Sequence, residues 1–155
     1  MNSKSLDRID RKILRTMQDD GRLTNLQLAE RISLSPTATA ERLKRLTRDG
    51  YILGYQAMLS PEKLDLGMLV YVEVKLDRTT PDVFDEFATA IRKADEVMEC
   101  HMVAGGFDYL IKARVKGMDT YRSFLSDVIL SLPGIRETHT YAVMEEIKNT
   151  DKLPV

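Results

Sequence analysis

The spacing of apolar residues changes period once along this chain, and that change restricts the folds open to it. Up to about residue 50 they recur three and four apart: Leu6, Ile9, Ile13 and Met17, then Leu23, Leu26, Ala29 and Ile32, then Ala40, Leu43 and Leu46. From Gly67 onward, strand-like runs alternate with further helical stretches. A helix buries a stripe of period 3.6 and a strand buries every second residue, so an all-helical part precedes a mixed one. The expected class is α+β.

Local punctuation supports three helices in the first part. Asp20-Gly21 stops the first, Thr24-Asn25-Leu26-Gln27 has the form of a capping box, Ser35-Pro36 supplies an N-cap followed by proline at N1, and Asp49-Gly50 closes the third. Only Ser33 and Leu34 separate the second helix from the third, so the axes must cross steeply, as in a helix-turn-helix. Residues 51–59 read as a strand or small hairpin, the natural position of a wing.

The second part reads as strand 68–76, a helix from Pro81 to about Lys93, strands 97–103 and 107–115, a helix after Gly117, and a last strand 135–144. The order β-α-β-β-α-β is the ferredoxin-like arrangement, whose helices cover one sheet face. Leu69 and Tyr71 fall on the opposite face from Met68, Val70, Val72 and Val74, and the last strand is apolar on both sides. A sheet apolar on both faces needs two covers, so the open face is expected to pack on a second copy. The alternative is a monomer whose tail, Asn149–Val155, folds back over it. The expected domains are a winged helix-turn-helix at 1–60, a linker at 61–67, and a domain at 68–155.

Charge divides the chain at the same place. The 23 Lys+Arg and 24 Asp+Glu give a net charge of −1, but residues 1–60 carry +4 and the remainder −5. A basic segment beside an acidic one suits a chain with one polyanion-binding part. The third helix carries Thr37, Thr39, Glu41, Arg42, Arg45 and Arg48 on expected outward or flanking positions, preceded by Ser35 and Pro36. Small residues at a helix N-terminus permit close approach, and hydroxyls and guanidiniums bond base edges and phosphates, so the expected partner is the major groove of double-stranded DNA. Arg22, Arg31 and Lys44 are further phosphate candidates.

Other chemistry is thinly represented. Cys100, the single cysteine, allows no internal disulfide, and on a strand it points away from its neighbour His101, so the two do not converge on a metal. No phosphate-binding loop, nucleophile elbow or dinucleotide fingerprint occurs, so neither an enzyme nor a metal or cofactor is expected. No apolar run nears the roughly 20 residues of a membrane span, and the N-terminus lacks the apolar core of a signal peptide, which points to the cytosol. The other candidate is the hairpin Val103-Ala104-Gly105-Gly106-Phe107-Asp108-Tyr109. Its glycines expose amides suited to a carboxylate while Asp108 suits an ammonium group, the two ends of an amino acid; a plain turn with Asp108 solvated is the alternative.

The ordered segments LDRIDRKIL, DGRLTNLQLAERISLSPT, ERLKRLTRDGYILGY, PDVFDEF, ECHMVAGGFDYLIK, LPG and TYAVMEEIK resemble the Lrp/AsnC family, the leucine-responsive and feast/famine regulators of bacteria and archaea. The resemblance implies a winged helix-turn-helix followed by an amino-acid-binding domain that dimerises, with dimers assembling into octamers or related rings that wrap DNA in the nucleoid. It implies leucine or another aliphatic amino acid as effector, bound between dimers. Carried over, the effector contacts fall on Met102, Val103, Ala104, Gly105, Gly106, Asp108, Met118, Tyr141, Ala142 and Val143. The family often has Gly-Asp where this chain has Gly105-Gly106, and Pro-Cys where it has Ala38-Thr39. A proline-responsive activator of proline catabolism lies in the same neighbourhood, and an architectural DNA-compacting protein with little ligand response is a further alternative.

Overall fold

In the computed structural model, which describes residues 5–155, the N-terminal helices begin where their caps are encoded. Residues 1–4 of the first expected domain lie outside the described residues. Asp7 caps α1 (Arg8–Asp19): its carboxylate accepts from the Asp10 amide at 2.8 Å, and Asp10 accepts from the Asp7 amide at 3.2 Å. Thr24 and Gln27 form the expected capping box at the start of α2 (Asn25–Ile32). Ser35 caps α3 (Pro36–Arg48), with proline in the first turn, where no amide is needed. Each such cap contributes about 1 kcal/mol. Between α2 and α3, Ser33 takes the left-handed conformation (φ 59) that turns the chain.

Ile13, Leu28, Ile32 and Leu46 are fully buried where the three helices meet, each stabilising the unit by about 1.5–3 kcal/mol. The stripe of α2 differs from the sequence reading. Leu26 is 58% exposed and Leu28 takes the inward position, because Leu28, Ala29 and Ile32 complete one face.

Residues 51–59 form no strand, contrary to expectation. Strand-like residues need a partner edge, and this segment holds no two-residue turn signal that would fold it back on itself. Its amides at Tyr51 and Ile52 instead close on the Leu46 carbonyl, and Leu53 and Met58 stand almost wholly exposed.

The chain divides into two units. The first runs to Met58 and also takes in Asn149–Val155, and the second is Leu59–Lys148. The tail, expected in the second domain, thus belongs to the first. Gln18 on α1 both donates to the Leu153 carbonyl (3.1 Å) and accepts from its amide (2.6 Å), and Lys152 pairs with Asp19 at 2.9 Å.

The second unit has the expected βαββαβ order: β1 (Met68–Leu76), α4 (Pro81–Ile91), β2 (Val97–Met102), β3 (Tyr109–Val115), α5 (Met118–Ser123) and β4 (Ile135–Ala142). Helix α5 widens into a π-helical stretch at Phe124–Ile129. The sheet is antiparallel with strand order β2-β3-β1-β4. Val70, Val72, Val74 and Leu76 on β1 are buried with Phe87, Ile91, Tyr121 and Phe124 from the helices, and Phe87 stacks on Tyr109 at 4.3 Å. Gly134 (φ 73) ends the helical stretch where a Cβ would lie 2.7 Å from Val83, so only glycine fits. The opposite sheet face is less apolar than its sequence suggested. Leu69 is buried and Tyr71 half-buried, but the register lines up Glu73, Lys112, Glu99, His101 and His139 beside them.

Candidate functional site

The expected site residues fall into two side-chain groups, one in each unit. In the first, the inward stripe of α3 keeps Leu43 and Leu46 as expected and differs at one position. Thr39 is fully buried and Ala40 exposed, so the inward stripe is Thr39, Leu43 and Leu46. The Thr39 hydroxyl is satisfied inside by donating to the Ser35 carbonyl at 2.9 Å, which lets a threonine stand in a core position. The series Pro-Thr-Ala-Thr-Ala offers little apolar contrast, so hydrophobicity alone points to Ala40 where the structure buries Thr39. Ser35, Pro36, Thr37, Glu41, Lys44 and Arg48 are exposed, and Arg48 pairs with its neighbour Asp49. Arg22 and Arg31 are also exposed.

Arg42 and Arg45, read as DNA-facing, lie on the flank towards α1. Arg42 donates to Asp7 at 2.6 Å and to Asp10 at 2.9 Å, and Arg45 donates to Asp10 at 2.5 Å. The Asp10 side chain is only 2% exposed. A buried carboxylate needs partners, and two guanidiniums and one amide supply them. The Asp10 amide first, and then Arg42, hold the Asp7 carboxyl below its ordinary value, while Asp7 and Asp10 raise the Arg42 guanidinium. This lock lies outside the sequence expectations, and its one sequence signal is the three-residue spacing of Asp7 at the N-cap and Asp10 in the first turn of α1.

In the second unit, the hairpin between β2 and β3 closes through the Val103 amide, which donates to the Asp108 carbonyl at 3.0 Å. Gly105 and Gly106 are exposed, and a Cβ on either would meet open space. Asp108 also has a structural task that its sequence position does not suggest. One of its carboxylate oxygens accepts from the Leu76 amide at 2.7 Å and its own amide donates to the Val74 carbonyl at 2.9 Å, so it ties the hairpin to the end of β1.

The remaining expected effector residues sit elsewhere on the sheet. Tyr141 pairs with Tyr71 and Ala142 with Val70, near the start of β1, and the Val143 amide donates to the Leu69 carbonyl. Met118 opens α5 just after Val115, which pairs with Met68 at that same end. The hairpin adjoins Val74 and Leu76, three to six residues further along β1, or roughly 10–20 Å. Met102, Met118 and Tyr141 are each more than half exposed. In a single copy the expected effector residues therefore fall into two groups at opposite ends of one sheet.

A pocket of about 600 Å³ lies in the first unit, lined among others by Leu14, Met17, Tyr51, Tyr55 and Leu153, and no hairpin residue borders it. Among the described residues no group of His, Cys, Asp and Glu is placed to hold a metal ion, and no helix is long and apolar enough to cross a membrane.

Known proteins combine the same two units. Residues 6–52 match a winged helix-turn-helix DNA-binding domain, and residues 69–153 match the Lrp/AsnC ligand binding domain. The chain is 51% identical over 152 residues to the leucine-responsive regulatory protein of Escherichia coli, covering 98% of this chain and 93% of that one. A transcriptional regulator of Neisseria meningitidis, solved as an L-Met complex, superposes with a TM-score of 0.92 at 39% identity, covering 97% of both chains. An AsnC family transcriptional regulator from Agrobacterium tumefaciens gives a TM-score of 0.92 at 32% identity, covering 96% of this chain and 97% of that one.

Proposed function

Because the chain belongs to the Lrp/AsnC family, we propose that it is a transcriptional regulator, not an enzyme, which binds double-stranded DNA through α3 and alters its DNA affinity or assembly when it binds a small aliphatic amino acid. The observation that carries this reading is the exposed face of α3, with Ser35, Pro36 and Thr37 at its capped start and Lys44 and Arg48 beyond. Such a helix suits the major groove, with hydroxyls and amides at its entry and cations for phosphate along its length.

Effector binding is assigned to two surfaces that complete each other between copies: the hairpin with Met102, Val103, Ala104, Gly105, Gly106 and Asp108, and the opposite end with Met118, Tyr141, Ala142 and Val143. Leucine is the first ligand to test, given the E. coli relative, and methionine the second, given the Neisseria complex. The open sheet face, on which Tyr71 is half-buried and Tyr141 exposed, serves dimerisation, and dimers close into an octamer or similar ring in the cytoplasm on the nucleoid. Two linked recognition helices multiply affinity without a new type of contact.

A thermal-shift screen over the twenty amino acids, paired with light scattering, tests the ligand and the assembly together. A ligand that binds the folded form raises its melting temperature, and one that shifts assembly must bind the two states unequally. No shift with any amino acid would reject the effector reading. Single alanine substitutions at Lys44 and Arg48 test the DNA face, each lowering the slope of log affinity against log salt by about one for a phosphate contact.

A further inference from the structure

We propose that Glu41 reads the exocyclic amino group of a cytosine in the major groove of the bound DNA, an inference that rests on the DNA-binding role of α3. Thr37, Glu41, Lys44 and Arg48 follow one another four, three and four residues apart and so form one stripe, opposite the buried stripe of Thr39, Leu43 and Leu46. Glu41 stands in the N-terminal half of this stripe, the part of a recognition helix that meets base edges. Its neighbour Ala40 is small and exposed, which leaves room for close approach.

An exposed glutamate followed four residues later by arginine ordinarily pairs with it along the helix. Here that partner is diverted, because Arg45 donates to the buried Asp10 and Arg42 to Asp7 and Asp10. Glu41 consequently has no side-chain hydrogen bond or ion pair among the described residues. A free carboxylate on a surface that meets DNA is repelled by phosphate and accepts hydrogen bonds only. In the major groove the donors are cytosine N4 and adenine N6, and adenine sets the acceptor N7 beside its amino group. Cytosine is the base that satisfies a carboxylate without opposing it.

The test is selection of bound duplexes from a randomised library by the full-length protein, by Glu41→Gln and by Glu41→Ala. Thermal melting first establishes that both variants fold, as expected for an exposed and unpaired side chain. The parent should enrich a motif in which one position per half-site favours cytosine by about 5- to 100-fold. Glu41→Gln should move that position to adenine, whose N6 and N7 match an amide, while Glu41→Ala should level the four bases there. If both variants select the parent motif with the same discrimination at every position, Glu41 reads no base and the inference is overturned. A parent that enriches no motif at all rejects sequence-specific DNA binding itself, an outcome separate from the first.

Discussion

Arg42 on α3 donates to the buried carboxylate of Asp10 on α1 at 2.9 Å, across 32 positions of sequence. With Arg45 on the same oxygen, this fixes the angle at which α3 leaves the body of its unit. The two arginines that look most like DNA readers in the sequence thus have their guanidiniums bonded to carboxylates at the start of α1.

Asp10→Asn keeps the shape and the bond to the Asp7 amide but removes the charge that two guanidiniums share. Losing one partner of a fully buried pair costs about 3–5 kcal/mol, and the side chains of Arg42 and Arg45 are 31% and 27% exposed, so roughly 1–3 kcal/mol is expected. Urea denaturation of the two proteins measures it. A loss below about 0.5 kcal/mol, within the range of ordinary surface substitutions, would mean that the lock holds little.

Asp7 gives the lock a dependence on pH. Its carboxyl is held below the ordinary 3.8 by the Asp10 amide and then by Arg42, so the folded form binds this proton less readily than the unfolded chain. Its contribution is complete above the ordinary value and disappears as pH falls through the lower folded-state value. Melting temperatures measured from pH 6 downward should fall less steeply for Asp7→Asn, which retains the cap, than for the parent. Parallel curves would contradict the assignment.

Asp108 is expected to act on stability before ligand. Asp108→Ala strands the Leu76 amide and should cost about 1–2 kcal/mol, whereas Asp108→Asn keeps an acceptor oxygen and should cost less. Calorimetric titration with leucine should find the asparagine variant still competent to bind. Abolished binding in a fully folded Asp108→Asn would instead give its charge a direct role in holding the ligand.

Cys100 should be slow towards thiol reagents. It packs against the sheet core, and burial pushes its thiol up to about 11, leaving roughly 0.1% thiolate at pH 8. Its reaction with a disulfide reagent should run about a hundredfold slower than that of free cysteine and quicken with pH. A rate equal to that of free cysteine would show the side chain to be more accessible than its packing implies.

The helical part was legible wherever a short-range rule decides the outcome. Thr24 with Gln27 and Ser35 with Pro36 act within a few residues of themselves. The βαββαβ order was legible too, because the change from period 3.6 to period two survives even where individual residues mislead. What could not be read depends on distant partners. The choice between Thr39 and Ala40 is made by a hydroxyl finding the Ser35 carbonyl, the fate of Arg42 and Arg45 by Asp10 on another helix, and that of Asp108 by an amide on β1. Residues 51–59 have the apolar and aromatic composition of a strand, yet a strand exists only where an edge receives it.

The opposed positions of the hairpin and of Tyr141 also carry a rule of counting. On the proposed site, a complete binding place arises only where one end of a sheet meets the other end of a neighbour's. An open row of such units then has one place fewer than it has junction-forming members, while a closed ring has none missing. Ligand stoichiometry would thus report whether the assembly has closed, and saturation would favour closure over an unfinished row.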